Sequence, residues 1–158
     1  MEQSNSPIEN NPTISEYTQR LKEARDNNDI YAVARLIGVL RGLGIDVEID
    51  EEEKAACLQE LEKTRVGNVD DFFRRVPGYM VARWLMILKN FYPEDVEISE
   101  SDIVLMQSAL EQYQNEENYY QIASLKITTE SIGVSLDYSK FSQAETAEIE
   151  RNEEEIIS

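Results

Sequence analysis

Few residues of this chain have the types and spacing that chemistry requires. The 158 residues include no histidine, the side chain that titrates nearest to neutral pH. The single cysteine, Cys57, lies on the apolar stripe of a predicted helix, where a small core residue is expected. We therefore predict no catalytic residue and no enzymatic activity. The alternative is an enzyme that uses a carboxylate, lysine or tyrosine of shifted pKa.

The densest run of carboxylates, residues 46–53, invites a calcium site. An EF-hand loop needs glycine at its sixth position and glutamate at its twelfth, where this chain has Glu51 and Cys57. Capping of a helix by Asp50 explains the acids better, because carboxylates are favourable at a helix N-terminus. Residues 42–44, Gly-Leu-Gly, match no phosphate-binding loop. We predict no metal site and no cofactor.

A third group combines arginines with aromatic residues, the types enriched at interface hot spots. Residues 63–92 carry six basic and two acidic groups, although the whole chain has a net charge of −17. The alternative is that the cations are solvated and paired with nearby acids, and that the aromatic rings fill the core. The predicted partner-binding residues are Phe72, Phe73, Arg74, Arg75, Arg35, Arg83, Arg41 and Lys89.

The elements that must position these residues repeat along the chain. Residues 10–50 and 99–139 align without a gap at a constant offset of 89, and a third copy with an insertion lies between them. A period of about 40 residues is typical of helical-repeat arrays, in which each unit packs against its neighbours. We predict an all-α fold, a short α-solenoid of about three helical hairpins plus a terminal helix. The alternative is an irregular helical bundle.

Each unit holds an A helix, a turn, a B helix and an extended connector. Asn10 or Thr13 is predicted to cap the first A helix, and Asp50, Ser99 and Ser139 the later ones. Glycines end the first B helix, since glycine adopts the left-handed conformation without strain. Three tyrosines inside the B helices, at equivalent positions, are predicted to be largely buried: Tyr31, Tyr79 and Tyr120.

The predicted organisation is a disordered tail, one helical domain and an acidic tail. The first tail covers residues 1–9, the helical-repeat domain 10–152 and the acidic C-terminal tail 153–158. The domain consists of units 10–50, 50–99 and 99–139 and a half-unit 139–152.

Composition restricts the function classes. The start of the chain is no signal peptide and no apolar run could span a membrane, so we expect a cytoplasmic protein. Overall acidity makes nucleic acid an improbable partner. We predict a non-enzymatic protein-interaction module or adaptor whose partner carries an acidic or amphipathic segment. The alternatives are an acidic nucleic-acid mimic that inhibits a basic protein and a structural subunit of a larger complex. The sequence does not define the oligomeric state.

Overall fold

The computed structural model describes residues 11–66 and 76–158. Over these residues the chain forms seven helices and no strand, which confirms the predicted all-α fold. The A helices are α1 (Pro12–Asp26), α3 (Glu51–Arg65), α5 (Glu100–Asn115) and α7 (Gln143–Ile157), and the B helices are α2 (Ile30–Gly42), α4 (Pro77–Phe91) and α6 (Tyr119–Ser131).

The chain divides into two compact units, one ending at Glu60 and the other comprising Leu61–Ser158. In the first unit, α1 packs against α2. In the second, α4 packs against α5 and α6, α5 against α6, and α6 against α7. Contacts between successive helices, and between the successive B helices α4 and α6, are typical of hairpins that pack on their neighbours.

The predicted repeat extends to individual main-chain hydrogen bonds. At the turn between α1 and α2, Asn28 has a φ of 55°, and the N–H of Asp29 donates to the carbonyl of Ala24 at 2.9 Å. At the offset of 89, Glu117 has a φ of 54°, and the N–H of Asn118 donates to the carbonyl of Tyr113 at 2.9 Å. The two A–B turns thus share one conformation.

The ends of α2 and α6 repeat in the same way. Gly44 has a φ of 89° and Gly133 a φ of 77°, in the left-handed region that favours glycine. The residue after each glycine donates its N–H back to the helix, Ile45 to Leu40 at 3.0 Å and Val134 to Thr129 at 2.9 Å. This Schellman arrangement confirms glycine as the signal that ends these helices.

Some helix boundaries differ from the prediction. Asn11 caps α1, rather than Asn10 or Thr13, and its side chain accepts the N–H of Thr13 at 2.8 Å. Proline follows at the first helical position, which suits it because that N–H has no helical partner. Residues 1–10, including the predicted disordered tail, lie outside the described residues.

The last A helix also begins later than predicted. Ser142, not Ser139, caps α7, in a capping box with Glu145. The side chain of Asp137 instead accepts the N–H of Ser139 at 2.9 Å, which holds Ser139 in the connector. Residues 153–157, predicted as an acidic tail, continue α7, since the helix ends at Ile157.

The core follows the same short motif in each B helix. A β-branched residue followed by alanine is buried in all three, as Val33-Ala34, Val81-Ala82 and Ile122-Ala123. Burying such β-branched side chains contributes about 1.5–3 kcal/mol each. The prediction of three similar tyrosines is wrong, because Tyr120 is 53% exposed. Tyr31 and Tyr79 are half-buried.

Candidate functional site

Half of the predicted partner-binding residues lie outside the described residues. Phe72, Phe73, Arg74 and Arg75 belong to residues 67–75, which the structure does not describe. Their role stays a prediction.

The other four predicted residues lie on B helices of different units. Arg35 and Arg41 are exposed on α2, and Arg83 and Lys89 are half-buried on α4. Lys89 donates from Nζ to the carbonyl of Pro93 at 3.2 Å. The two cations of each helix are six residues apart and therefore lie about 120° apart around its axis, not in one row.

A contact that the sequence analysis did not anticipate links successive A helices. Arg25 of α1 donates from Nε and Nη2 to the two carboxylate oxygens of Glu53, at 2.9 and 3.0 Å. Its Nη2 also donates to the carbonyl of Glu48 at 3.0 Å. Glu53 in turn completes a capping box with Asp50 at the start of α3. We call this arrangement the capping clamp.

The capping clamp recurs at the start of α5. Arg65 of α3 donates from Nε and Nη2 to the two carboxylate oxygens of Asp102, both at 2.9 Å. Its Nη2 also donates to the carbonyl of Glu97 at 2.8 Å. Asp102 is only 1% exposed and forms a capping box with Ser99. In both clamps, the accepting carbonyl lies five residues before the carboxylate.

The third capping clamp, at the start of α7, has glutamine in place of arginine. Gln114 corresponds to Arg25 at the offset of 89. Its Nε2 donates to the carbonyl of Lys140 at 3.2 Å and to the carboxylate of Glu145 at 3.5 Å. Lys140 again lies five residues before the carboxylate. The third clamp therefore keeps the geometry but lacks the guanidinium charge.

Among the residues that the structure describes, only neutral groups donate hydrogen bonds to Glu145. The N–H of Ser142, the hydroxyl of Tyr119 and the amide of Gln114 lower the pKa of the Glu145 carboxyl below its ordinary value. The Tyr119 hydroxyl lies 3.2 Å from the carboxylate. Hydrogen bonds from neutral groups of residues 114–142 therefore favour the carboxylate form of Glu145.

One side of α5 forms a stripe of exposed and half-buried residues that leads to the third clamp. At 100° per residue, its members fall within about 100° of arc around the helix. Ile103 is 37% and Val104 64% exposed, although large apolar side chains are usually buried. We call this stripe the α5 face; its residues are Glu100, Ile103, Val104, Gln107, Glu111 and Gln114.

The α5 face ends at a cavity of about 140 Å³ between α5 and the connector to α7. Gln107 fixes the far wall, because its amide donates to the carbonyl of Asp137 at 3.0 Å and accepts its N–H at 2.9 Å. Phe141 is held by Tyr138, with ring centroids 5.7 Å apart. The lining residues are Gln107, Leu110, Glu111, Gln114, Asp137, Lys140 and Phe141.

The cavity combines carboxylates with an apolar wall. Hydrogen bonds from Ser139 lower the pKa of the Asp137 carboxyl, with a smaller contribution from the charge of Lys140. Glu111 is exposed at the rim, and Leu110 is buried beneath it. Such a lining can accept a cation that also has an apolar surface.

Cys57 carries none of the properties of a reactive thiol. It is fully buried, and burial, with the charges of Glu53 and Glu60, raises the pKa of its thiol to about 12. A thiol that stays protonated at neutral pH is a poor nucleophile. Cys57 therefore packs as a core residue, as predicted.

Residues 11–66 and 76–158 contain no group of three or more histidine, cysteine, aspartate or glutamate side chains that could hold a metal ion. Among the helices of these ranges, none has the length and apolar character needed to cross a membrane. Comparison of the chain with protein-family models, with curated proteins and with solved structures gives no match.

Excess positive charge in consecutive segments points to residues 63–92 and not to the α5 face, which carries two glutamates and no cation. A signal was nevertheless present in the repeat. At the offset of 89, Lys22 is replaced by Glu111 and Arg25 by Gln114, so two cations are lost on one side of an A helix. Comparing the charges of the aligned units, rather than of consecutive segments, identifies the face.

Proposed function

We propose that this protein is a non-enzymatic interaction module that binds a basic segment of another protein through the α5 face. The observation that carries the proposal is the exposure of Ile103 and Val104 beside the carboxylates of Glu100 and Glu111. An apolar centre with a charged rim is the common composition of a protein interface. The acidic rim selects a partner of opposite charge.

A comparison of the two outer repeats supports a basic partner. Residues 10–50 and 99–139 each contain seven acidic groups, but the first range has five basic groups and the second has only Lys126. Lys126 pairs with Glu153 at 2.8 Å and lies 5.9 Å from the ring of Tyr138. The third repeat therefore retains carboxylates whose charge no cation of its own repeat offsets.

The geometry defines a short recognition element. Val104 and Glu111 are seven residues apart on α5, or about 10 Å at a rise of about 1.5 Å per residue. Three residues of an extended peptide cover about the same distance. A segment with an apolar residue and a cation three positions apart can therefore reach both Val104 and Glu111.

The experiment measures binding of defined peptides to the full chain by fluorescence anisotropy. The probes are two labelled 12-residue peptides with lysine and serine flanks, one containing Leu-Ser-Ser-Arg and the other the reversed order. We expect Glu100→Lys with Glu111→Lys to weaken the better probe about tenfold, because the reversed charges repel a basic peptide instead of attracting it. Val104→Ser should weaken it about fivefold without changing its salt dependence.

The matched control is Asp26→Lys with Asp46→Lys, which makes the same change in net charge on exposed residues of the first repeat. It should change the affinity less than about twofold, since neither residue belongs to the α5 face. Equal weakening by both pairs would mean diffuse attraction, as expected of a nucleic-acid mimic, and would overturn the proposed site. Absence of binding by the wild type would overturn the proposed function.

The partner predicted from the sequence, one with an acidic segment, would instead bind the positively charged residues of segment 63–92. It depends on Arg74 and Arg75, which lie outside the described residues. Among the described cations of residues 63–92, Arg65 pairs with Asp102 and Lys89 bonds to a carbonyl. The described residues therefore favour the basic partner.

A further inference from the structure

Two of the three capping clamps contain a guanidinium that the third lacks. In the first two, an arginine gives three hydrogen bonds within the clamp, two to a carboxylate and one to a carbonyl. Arg65 also donates from Nη1 to Glu62 at 2.6 Å. In the third, a single amide nitrogen of Gln114 serves the carboxylate and the carbonyl, at longer distances. The repeat thus shows, twice within this chain, which chemical group fits such a position.

A cavity opens beside the position from which the third arginine is missing. Gln114 forms part of its wall, together with Glu111 and Asp137. Its volume is about 140 Å³. An engineered cavity of about 150 Å³ holds a benzene ring, and a guanidinium is also planar and smaller. Glu145, the carboxylate of the third clamp, is not part of the lining. The open volume and the lining carboxylates of Glu111 and Asp137 therefore carry the inference. The two arginine clamps add that this chain pairs a guanidinium with carboxylates elsewhere.

We propose that this cavity is the binding site for an arginine side chain of the partner, an inference that rests on the proposed function. The guanidinium enters between the carboxylates of Glu111 and Asp137 and lies against the ring of Phe141. Its donors match carboxylate oxygens in a fixed plane, and its flat surface stacks on aromatic rings. Lysine has one compact charge and would form fewer of these contacts.

Lys140 also lines the cavity and sets a limit on the affinity. It is exposed, and its charge acts on Asp137. An incoming arginine must displace this interaction, so Lys140 opposes the arginine by like-charge repulsion. Because Lys140 repels the incoming arginine, removing the Lys140 charge should strengthen binding.

The first measurement changes only the peptide. On the wild-type chain, replacing the arginine of the Leu–Arg probe by lysine should weaken binding about fivefold. Replacement by citrulline, which keeps the shape and removes the charge, should weaken it about tenfold, as loss of a charge-assisted hydrogen bond does. Equal affinities for the three peptides would overturn the arginine site and leave the proposed function standing.

The second measurement introduces an arginine at a residue that lines the cavity. Gln114→Arg restores the residue type of the other clamps, and we expect about tenfold weaker binding of the arginine probe. The control, Gln112→Arg, adds the same charge to an exposed position outside the α5 face and should weaken binding less than about twofold. Equal effects of the two variants would overturn the inference. Gln114→Arg should unfold at or above the wild-type midpoint.

The third measurement uses Lys140→Ala, for which we expect a gain in affinity rather than a loss. It should strengthen binding of the arginine probe about threefold and leave the citrulline probe unchanged. Unchanged binding of both probes would contradict a cation in the cavity. If neither the arginine peptide nor the lysine peptide binds to any variant, the proposed function fails. Equal binding of both peptides instead overturns only the arginine site.

Discussion

The first and third helical hairpins share the main-chain geometry of their turns and helix ends but differ in surface chemistry. Their turns and helix ends share hydrogen bonds at an offset of 89, including the left-handed residues Asn28 and Glu117. Yet Ile14 is 6% exposed and its counterpart Ile103 37%, and arginine at position 25 becomes glutamine at position 114. Conserving the backbone while changing one face is how a repeat scaffold acquires a binding surface.

The comparison separates the residues that build the repeat from those that vary on it. Caps, glycines and the buried β-branched residue with its alanine recur because each satisfies a local backbone or packing requirement. The residue type at the clamp arginine position can vary, because glutamine can also donate a hydrogen bond to the carbonyl five residues before the carboxylate. The proposed site lies where the repeat tolerates a change of charge without a change of conformation.

The largest expected effect concerns the second capping clamp. Arg65→Ala leaves the carboxylate of Asp102, 1% exposed, without its cation. Removing one partner of a buried pair costs about 3–5 kcal/mol of unfolding free energy. Arg25→Ala should cost only about 1 kcal/mol, because Arg25 and Glu53 are 38% and 14% exposed and solvent screens them. Urea denaturation measures both.

The double variant Arg65→Ala with Asp102→Asn is the control. It removes the buried charge together with its partner, so it should regain part of the loss caused by Arg65→Ala alone. If Arg65→Ala and Arg25→Ala cost the same, then burial of Asp102 has no energetic consequence and the two clamps are equivalent.

The second prediction tests the shared backbone. Gly44→Ala and Gly133→Ala should each lower the free energy of unfolding by about 1–2 kcal/mol, since both positions require positive φ. Gly42→Ala is the matched control. An added Cβ there meets nothing within 4 Å, and alanine in a helix gains up to about 1 kcal/mol over glycine. If Gly44→Ala leaves the free energy of unfolding unchanged while Gly133→Ala lowers it, the two hairpins are not equivalent.

The sequence predicted the all-α class, the offset of 89 and the glycine ends, because these depend on local chemistry. Asp50 with Glu53 and Ser99 with Asp102 are capping boxes that spacing alone reveals. The prediction that Ser139 caps the last A helix is wrong because the connector before α7 is three residues longer than expected. Serine can cap a helix or bond within a turn, and only tertiary structure decides between them.

Side-chain environments at equivalent positions could not be predicted. Tyr79 bonds to Ser124 through its hydroxyl at 3.0 Å and packs edge-on against Tyr113, whereas Tyr120 is exposed. These differences depend on which neighbours face each tyrosine, and the repeat alignment carries no such information. The cavity was invisible for the same reason, since its walls come from α5 and a connector some 30 residues apart in sequence.

The smallest expected effect concerns the pKa of Glu145 in the third clamp. Tyr119→Phe removes a hydroxyl that donates to this carboxylate, so the pKa of Glu145 should rise towards its ordinary value of 4.5. A pH titration of the side-chain carboxyl by ¹³C NMR measures it. Gln114→Arg should move the same pKa the other way, because the added guanidinium favours the carboxylate.

The direction of this pKa shift also fixes how stability depends on pH. A native pKa below the ordinary value of 4.5 means that Glu145 favours folding above pH 4.5 and loses this contribution as the pH falls through its native pKa. The unfolding midpoints of the wild type and Tyr119→Phe should therefore differ most at about pH 7 and converge at about pH 2. Tyr120→Phe, at the exposed neighbour, should show no such convergence. A difference that persists at about pH 2 would mean that the Tyr119 hydroxyl stabilises the fold independently of the ionisation of Glu145, and that its hydrogen bond does not contribute to the lowered pKa.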